Sequence, residues 1–291
     1  MADKIKRVGV IGNSEKVSCA SAVKQAAWLI TAAGRKLYSD ATTSRLAGIQ
    51  ATVCPDAKTL TRQVDLLLVF GGDGTILRAA REIAGFPTPI LGINIGSLGF
   101  LTAVPSNELP QALEAVWKGK FTFESRILIQ ASGRCKGRRV EQTALNDIVI
   151  SRGNASRLVE LEVCVDGNAL TNYRCDGLIV SSPTGSTAYS LAAGGAVVFP
   201  TAEVLELTPI CPHTLSNRSL ILPQAAEIEI RVISSKLETI LSADGQVVSE
   251  LAPGDLITVR RSRHAVRLMH LAGSSFCDTL RRKLHWRGAT L

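Results

Sequence analysis

The sequence predicts an α/β domain with a doubly wound parallel sheet, followed by an all-β domain of the sandwich type. Over residues 1–122, short apolar runs alternate with helix-like segments, which is typical of a parallel sheet with crossover helices. After Phe121 the helical periodicity fades, and short β-rich runs recur with turn signals between them. Several short strands at such spacing indicate an antiparallel sandwich. A chain of 291 residues is long enough for about two domains.

The first elements of the α/β domain follow from apolar runs and helix-like segments. Val8–Ile11 is predicted to be a strand, and the alanine-rich Cys19–Ala33 to be the helix after it. Asp65–Phe70 (DLLLVF) is a continuous apolar run, as expected of a strand buried on both faces. Thr75–Ala84 follows as a helix, with a glycine and a proline marking its end.

The later elements are predicted from the same signals. Ile90–Ile93 is expected to be a strand, and Asn107–Lys118 a helix with Pro110 in its first turn. In the second domain, Asp166-Gly167-Asn168 is a hairpin turn, and the alanine-rich part of SSPTGSTAYSLAAGG is a short helix. The strands predicted there are Leu158–Val165, Ala169–Arg174, Ile228–Ile233, Glu238–Ser242, Leu256–Arg260 and Ala265–His270.

A formal charge of +8 predicts attraction to anions in general. Part of the excess lies near the C-terminus, where basic residues are interleaved with apolar ones, as on the solvated faces of strands and of a last helix. No recognition motif accompanies them, so we favour solvated faces over a nucleic-acid surface. These basic residues are Arg260, Arg261, Arg263, Arg267, Arg281, Arg282, Lys283 and Arg287.

Cysteine and histidine usage argues against a zinc site. The seven cysteines form no CxxC pair, and the four histidines show no metal-ligand spacing. We therefore expect reduced cysteines that serve as small apolar residues. No run of about 18 uncharged apolar residues occurs, so no membrane-spanning helix is expected. The first residues lead into a strand-like run without a signal-peptide cleavage site, which predicts a cytoplasmic protein.

The strongest local signal is GGDGT, residues 71–75, between the buried strand and the next helix. Ligands of open parallel sheets bind at this edge. Glycines let the backbone approach a phosphate, and a helix N-terminus favours anions. Asp73 would repel phosphate, which makes sense if its carboxylate accepts a proton from a hydroxyl or helps to hold Mg²⁺. The alternative is a tight turn in which Asp73 caps the helix.

Other phosphate-binding fingerprints are missing from the sequence. Neither GxxxxGK[ST] nor GxGxxG after a strand occurs, so phosphate chemistry would use a different loop. A second glycine cluster, LGINIGSLGF at residues 91–100, follows the next strand at the same edge. Its glycines could form a second wall of the crevice or could serve close packing of strand on loop.

Three further segments carry polar groups. Asn146-Asp147 precedes an apolar strand and could bind the two hydroxyls of a ribose, although a turn before the strand is the simpler interpretation. Asp176–Ser190 offers an acid, many hydroxyls and one aromatic ring able to stack on a base. No GxSxG elbow is present, which disfavours a serine hydrolase. Asp244-Gly245-Gln246 alone predicts a hairpin turn.

Together these motifs resemble the NAD kinase family in order and in spacing. The matching segments are GGDGT, LGINIGSLGFLT, Asn146-Asp147, DGLIVSSPTGSTAYSLAAGG and DGQ, from about Val69 to Gln246. GGDG alone is shared with lipid kinases and phosphofructokinases, whereas PTGSTAYSLAAGG is far more specific and decides the family. The resemblance implies that ATP phosphorylates the 2′-hydroxyl of the adenosine ribose of NAD. It also implies a β-rich NAD-binding domain over 123–270 and a segment, 271–291, that returns to the first domain.

The resemblance further implies roles for individual residues. Asp73 would be the general base, and Arg78 would point its guanidinium at a phosphate. An arginine at position 174 favours NAD⁺ over NADH. The phosphate-donor loop would be Gly71, Gly72, Gly74 and Thr75. The residues that would bind NAD are Asp73, Gly74, Arg78, Asn146, Asp147, Arg157, Arg174, Asp176, Thr187, Ala188, Tyr189, Ser190, Leu191, Ala192 and Gln246.

Mg²⁺ is the expected cofactor, bound mainly through donor phosphates and water because no dedicated carboxylate cage is present. The expected partners are NAD and ATP, without nucleic acid or membrane, and the family implies a homo-oligomer, a dimer or tetramer, with Arg157, Arg174 and Asp176 partly across a subunit boundary. ATP could be replaced by another nucleoside triphosphate or by polyphosphate as donor. Two other functions remain open: a lipid or sphingoid-base kinase that shares the GGDG loop, and a non-catalytic dinucleotide sensor.

Overall fold

The computed structural model describes residues 5–96, 99–153, 157–214, 216–233 and 238–286. The chain divides into two compact units. The first unit comprises Met1–Ser125 and Val266–Leu291, and the second comprises Arg126–Ala265. The domain boundaries 1–122, 123–270 and 271–291 stay predictions. Arg287 of the basic C-terminal segment lies outside the described residues.

The first unit is a parallel β-sheet whose strands are connected by helices that pack against the sheet. Its elements are β1 (Arg7–Gly12), α1 (Val17–Ala32), β2 (Lys36–Asp40), α2 (Ala41–Ala47), β3 (Thr52–Cys54), α3 (Ala57–Gln63), β4 (Leu66–Gly71), α4 (Asp73–Glu82), β5 (Ile90–Asn94), β6 (Val104–Pro105) and α5 (Leu109–Trp117). The strand order is β3-β2-β1-β4-β5, with β6 parallel to β5. Helices α1, α2 and α5 pack together, and α3 packs with α4. This arrangement confirms the predicted doubly wound α/β fold.

The second unit is built from antiparallel strands. Its elements are β7 (Phe121–Cys135), β8 (Arg138–Ala144), β9 (Asp147–Arg152), β10 (Val159–Val165), β11 (Asn168–Cys175), β12 (Gly177–Ser181), α6 (Tyr189–Ala192), β13 (Val204–Ile210), β14 (Leu220–Pro223), β15 (Ile228–Val232), β16 (Thr239–Ala243), β17 (Gln246–Leu251) and β18 (Leu256–Leu271). One sheet has the order β14-β13-β12-β9-β16-β17. The facing layer contains β11-β10-β15-β18, with β7 beside β18 and β8 beside β7.

A buried apolar core lies between these two layers, so the sandwich prediction is confirmed. Residues of both sheets contribute to it, such as Leu161 and Val163 from β10 and Leu178 and Val180 from β12. Val159, Leu161 and Val163 of β10 are buried, whereas Glu160 and Glu162 are half-buried. This alternation follows from the two-residue period of a strand with one face towards solvent.

The C-terminal segment returns to the first unit, as the family resemblance implies. The last part of β18 runs parallel to β5, with Leu268 opposite Ile90. Helix α7 (Phe276–Lys283) belongs to the same unit and begins where the side chain of Ser275 accepts a hydrogen bond from the backbone N–H of Asp278. Among the described residues, no helix has the length and apolar character needed to span a bilayer.

Two predictions about elements are wrong. Leu256–Arg260 and Ala265–His270 are not separate strands but parts of the single 16-residue strand β18. Exposed arginines between them interrupt the apolar alternation, although the backbone continues as a strand. The helix predicted over Asn107–Lys118 is shorter: a 3₁₀ turn precedes α5, which has its proline in the first turn as expected.

Candidate functional site

The GGDGT loop joins β4 to α4 at the carboxyl edge of the parallel sheet. All of β4 is buried, and Gly72 is the N-cap residue of α4. A Cβ at Gly71 would lie 2.2 Å from the Oγ1 atom of Thr75, so only glycine lets the loop close there. Cβ atoms at Gly72 and Gly74 would meet nothing within 4 Å. The backbone at these two glycines is therefore open to an approaching ligand.

Asp73 does not cap the helix, so the capping interpretation is wrong. Its two carboxylate oxygens accept hydrogen bonds from the backbone N–H groups of Phe100 (2.8 Å) and Leu101 (3.1 Å). A Cβ at Gly99 would lie 1.8 Å from Asp73 Oδ1. The second glycine cluster thus orients the Asp73 carboxylate through two amides, and each oxygen keeps a further acceptor position.

The second glycine cluster also packs on α4. A Cβ at Gly92 would lie 2.4 Å from the Ile76 side chain, which supports close packing of strand on helix.

Sequence reasoning missed Asn94, at the end of β5. Its side chain is buried and donates to the carbonyl of Gly96 (2.8 Å), while its Oδ1 atom has no hydrogen-bond partner among the described residues. A buried amide at a strand end was the available signal.

Arg78 lies one turn into α4 and is half exposed. Its Nε atom is 4.0 Å from the Glu82 carboxylate, and both side chains are 47% exposed. An exposed pair of this kind holds a side chain only weakly. The guanidinium is therefore available to an anionic group near the start of α4.

In the second unit, Asn146 and Asp147 are held by the hairpin between β16 and β17. The carboxylate of Asp244 accepts hydrogen bonds from the backbone N–H groups of Leu145 (3.1 Å), Asn146 (2.7 Å) and Asp147 (3.4 Å). Asp244 and Gly245 adopt positive φ, as the predicted turn requires. Asp244 thus has a second role, anchoring the Asn146-Asp147 segment, that the hairpin interpretation missed.

Asp147 is a buried carboxyl group at the start of β9. Only 4% of the residue is exposed. Burial first, and then the negative charge of Asp244, raises the pKa of Asp147 from 3.8 to about 7. Near neutral pH the carboxyl group is therefore a mixture of the protonated donor and the ionised acceptor.

The segment Ser181–Ala192 packs against Asn146. Ser182 donates from its backbone N–H to the Asn146 carbonyl (2.9 Å) and from its hydroxyl to the Leu145 carbonyl (2.5 Å). A Cβ at Gly185 would lie 2.2 Å from the same Asn146 carbonyl oxygen. The structure therefore brings together the Asn-Asp pair, the start of the PTGSTAYSLAAGG segment and the DGQ hairpin, on which Gln246 is exposed.

A buried glutamate fixes the second half of the PTGSTAYSLAAGG segment. Glu206, 1% exposed, accepts hydrogen bonds from the hydroxyl of Ser190 (2.8 Å) and the N–H of Ala196 (2.6 Å). Tyr189, by contrast, is 47% exposed, so its ring is open to stacking. Sequence reasoning missed Glu206, although an acid inside the apolar strand VLELTPI was a visible signal. The other predicted contacts here, Thr187, Ala188, Leu191 and Ala192, are half-buried or exposed.

Arg174 and Asp176 are not brought to this cluster. Arg174 pairs with Glu160 (3.1 Å) and Asp176 with Arg152 (2.7 Å). The backbone carbonyl of Asp176 accepts a hydrogen bond from the backbone N–H of Arg152. Arg152 and Asp147 lie at opposite ends of β9. At about 3.4 Å per residue the two aspartates are about 17 Å apart along the strand. Arg157 is exposed.

The described side chains do not form a metal cage by themselves. Within the described ranges, no group of three or more histidine, cysteine, aspartate or glutamate side chains could hold a metal ion. All seven cysteines are free.

Comparison with known proteins matches nearly the whole chain. Residues 8–121 match the model of the ATP-NAD kinase N-terminal domain, and residues 145–271 that of the ATP-NAD kinase C-terminal domain. The NAD kinase of Polaromonas naphthalenivorans is 40% identical over 290 residues, covering 98% of this chain and 98% of that protein. The NAD kinase of Cupriavidus pinatubonensis is 39% identical over 282 residues, covering 97% and 92%.

Solved structures agree. The fold is similar to yeast NADH kinase complexed with NADH (TM-score 0.87, 26% identity, 99% of this chain and 90% of that chain). It is also similar to an NAD kinase from Archaeoglobus fulgidus in complex with ATP (TM-score 0.75, 26% identity, 97% and 100%). Two domain models and relatives of about 40% identity over the full length place the chain in one family: it belongs to the ATP-NAD kinases.

Proposed function

We infer that this protein is an NAD kinase, which transfers the γ-phosphoryl group of ATP to the 2′-hydroxyl of the adenosine ribose of NAD and so forms NADP. The match to both kinase domain models along the chain carries this conclusion. The GGDGT loop, with its open glycines beside one oriented carboxylate, supplies the groups that such a transfer needs.

Asp73 is the general base of the proposed reaction. A ribose hydroxyl is a poor nucleophile at neutral pH, so a carboxylate must accept its proton as the phosphoryl group arrives. Two backbone amides orient the Asp73 carboxylate and leave acceptor positions free for the hydroxyl proton. Fixed orientation lowers the barrier because the base does not have to be ordered during the reaction.

The donor phosphates bind at Gly71, Gly72, Gly74 and Thr75. Open space at Gly72 and Gly74 supports close approach of the phosphate oxygens to the backbone N–H groups, and the N-terminus of α4 favours negative charge. Arg78 contributes a half-exposed guanidinium one turn further along the helix. Mg²⁺ fits this donor set because it prefers a few carboxylate or phosphate oxygens together with water. When bound, it would neutralise charge on the phosphates, and Asp73 is the carboxylate of the GGDGT loop that could help to hold it.

Most of the residues assigned to NAD belong to the second unit, and the others are Asp73, Gly74 and Arg78 of the first unit. Asn146 and Asp147 are held by Asp244 and by Ser182, which supports a fixed pair for hydroxyl and amide groups of the dinucleotide. Asp147 can donate or accept near neutral pH because of its raised pKa. Tyr189 offers an open ring for the adenine, with Thr187, Ala188, Ser190, Leu191 and Ala192 around it and Gln246 on the neighbouring hairpin.

Arg157, Arg174 and Asp176 line the dinucleotide site partly across a subunit boundary. Asp176 lies about 17 Å along β9 from Asp147, so the two carboxyl groups contact different parts of the dinucleotide. The protein is accordingly proposed to be a homo-oligomer, a dimer or tetramer, in the cytoplasm.

The test is an endpoint assay with purified protein, NAD⁺, ATP and Mg²⁺, in which an NADP-specific dehydrogenase detects NADP⁺. We expect NADP⁺ to form in this reaction. We expect no NADP⁺ to form when EDTA is present. Parallel reactions with NADH, other nucleoside triphosphates and polyphosphate define the substrate range. Binding of NAD without product from any donor would contradict the proposal and indicate a dinucleotide sensor.

A further inference from the structure

A second cationic site is lined by residues other than those assigned to NAD and ATP. A cavity of about 750 Å³ opens on the layer of the second unit that contains β7, β8 and β18. Five consecutive residues of β18 line it, and four of its lining residues are arginines. The arginines are Arg139, Arg260, Arg261 and Arg263, and Glu141 is the carboxylate of the lining.

The floor of the cavity is a regular antiparallel ladder. Gln130 pairs with Thr143, and Ser132 pairs with Glu141, so their side chains point to the same face. Glu141 accepts hydrogen bonds from Gln130 (2.5 Å) and Arg139 (3.2 Å). The one carboxylate of the lining is thus already occupied and neutralises only one of the four guanidinium groups.

The arginines of β18 are not neutralised within the cavity. Arg260 has one distant partner, Glu227, at 3.9 Å on the exposed surface. Arg263 donates to the ring of His264 (3.2 Å), which carries no negative charge. For Arg261 no ion pair is found among the described residues, and it is exposed. Four guanidinium groups and one carboxylate leave the lining with a surplus of three positive charges.

We propose that this arginine cavity binds a linear polyphosphate anion, carried either by inorganic polyphosphate or by a nucleoside triphosphate. Guanidinium groups form paired hydrogen bonds to phosphate oxygens. Several guanidinium groups in one concave site therefore match a chain of phosphates better than they match a single carboxylate. The volume is in the range of small-molecule sites. The site is distinct from the proposed substrate sites, since none of its residues belongs to the groups assigned to NAD or donor phosphates.

The composition of the lining favours a phosphate chain over nucleic acid. Proteins that bind single strands combine basic grooves with aromatic side chains on which bases stack. The described lining has no phenylalanine, tyrosine or tryptophan. A bound polyanion would also relieve repulsion between the neighbouring guanidinium groups.

The experiment is a calorimetric titration of the full-length protein with inorganic tripolyphosphate at physiological salt. We compare the wild type with R261Q/R263Q and with R281Q/R282Q, which removes two exposed arginines from α7, outside the cavity. We expect R261Q/R263Q to weaken one binding event at least tenfold, whereas R281Q/R282Q changes it less than twofold. NADP⁺ formation by R261Q/R263Q should stay within twofold of the wild type.

Further arms identify the source of the phosphate chain. If R261Q/R263Q also loses binding of a non-hydrolysable ATP analogue, the cavity accepts nucleoside triphosphates; a loss for tripolyphosphate alone identifies the inorganic chain. Should R261Q/R263Q fail to fold, R139Q replaces it, because the Arg139 side chain is 83% exposed. Equal losses in both double variants, or no loss in the cavity variants, would overturn the proposal. If the wild type binds a labelled oligonucleotide more tightly than tripolyphosphate, and R261Q/R263Q loses this binding, the cavity would be assigned to nucleic acid instead.

Discussion

Replacing Asp147 by asparagine should make the protein more stable at alkaline pH. Burial and the charge of Asp244 raise the pKa of Asp147 from 3.8 to about 7 in the folded protein. The folded state therefore keeps a proton that the unfolded state releases between about pH 4 and pH 7. Ionised Asp147 opposes folding, so its contribution lowers the free energy of unfolding as the pH rises through this window.

The magnitude follows from the shift of pKa. Each unit corresponds to about 1.4 kcal/mol, so the whole shift corresponds to about 4 kcal/mol, of which about 2.5 kcal/mol falls between pH 5 and pH 8. Asparagine keeps the shape of the side chain and removes the ionisation. The difference in free energy of unfolding between Asp147→Asn and the wild type should therefore grow with pH and level off above about pH 8.

The assay is urea unfolding of both proteins at pH 5, 6, 7 and 8, followed by circular dichroism without nucleotide. Glu250→Gln is the control, because that carboxylate is half exposed in an ion pair with Lys136 and its removal should leave the pH profile parallel to that of the wild type. A difference between Asp147→Asn and the wild type that is constant over this range would refute the reasoning, since it would mean that Asp147 is ionised in the folded state at all four values.

Two further substitutions test how the site is held. Gly99→Ala places a Cβ 1.8 Å from Asp73 Oδ1, which displaces the carboxylate from its two amides. We therefore expect a lower thermal midpoint and at least a tenfold loss of kcat. The control is Gly72→Ala, which has nothing within 4 Å of its Cβ and should leave the midpoint unchanged. Equal midpoints in a melting scan would contradict this. Glu206→Gln turns one acceptor of the Ser190 and Ala196 hydrogen bonds into a donor, so it should destabilise the protein by about 1–3 kcal/mol and raise KM for NAD more than it lowers kcat; unchanged kinetics with a lower midpoint would confine Glu206 to a structural role.

The sequence predicted the strongly patterned elements of the fold. The continuous apolar run Asp65–Phe70 could only be a strand buried on both faces, and β4 occupies Leu66–Gly71. Short elements between β1 and β4 were missed because they lack a full period of apolar residues. Two of them, α2 and α3, carried a local signal, since Asp40 and Asp56 cap them by accepting hydrogen bonds from backbone N–H groups three residues later.

The candidate site was predicted through motifs, and its supporting contacts were not. GGDGT and PTGSTAYSLAAGG stand out in the sequence because their glycines and hydroxyls are unusual beside apolar strands. Asp244 holds the Asn146-Asp147 segment from 98 residues away in the chain, and Glu206 holds PTGSTAYSLAAGG through Ser190, which lies 16 residues away. Such partners become neighbours only through strand pairing, which a single sequence does not specify.

The most direct test of the proposed mechanism is to compare NAD binding and NADP⁺ formation in Asp73→Asn. If Asp73 is the base, the dissociation constant for NAD should change less than about threefold, while kcat falls by about 10²-fold or more, because general base catalysis of this kind contributes 10²–10⁴-fold. Unchanged kcat would contradict the account. Loss of binding in parallel with activity would also contradict it, because Asp73 would then serve only to hold the loop at Phe100 and Leu101.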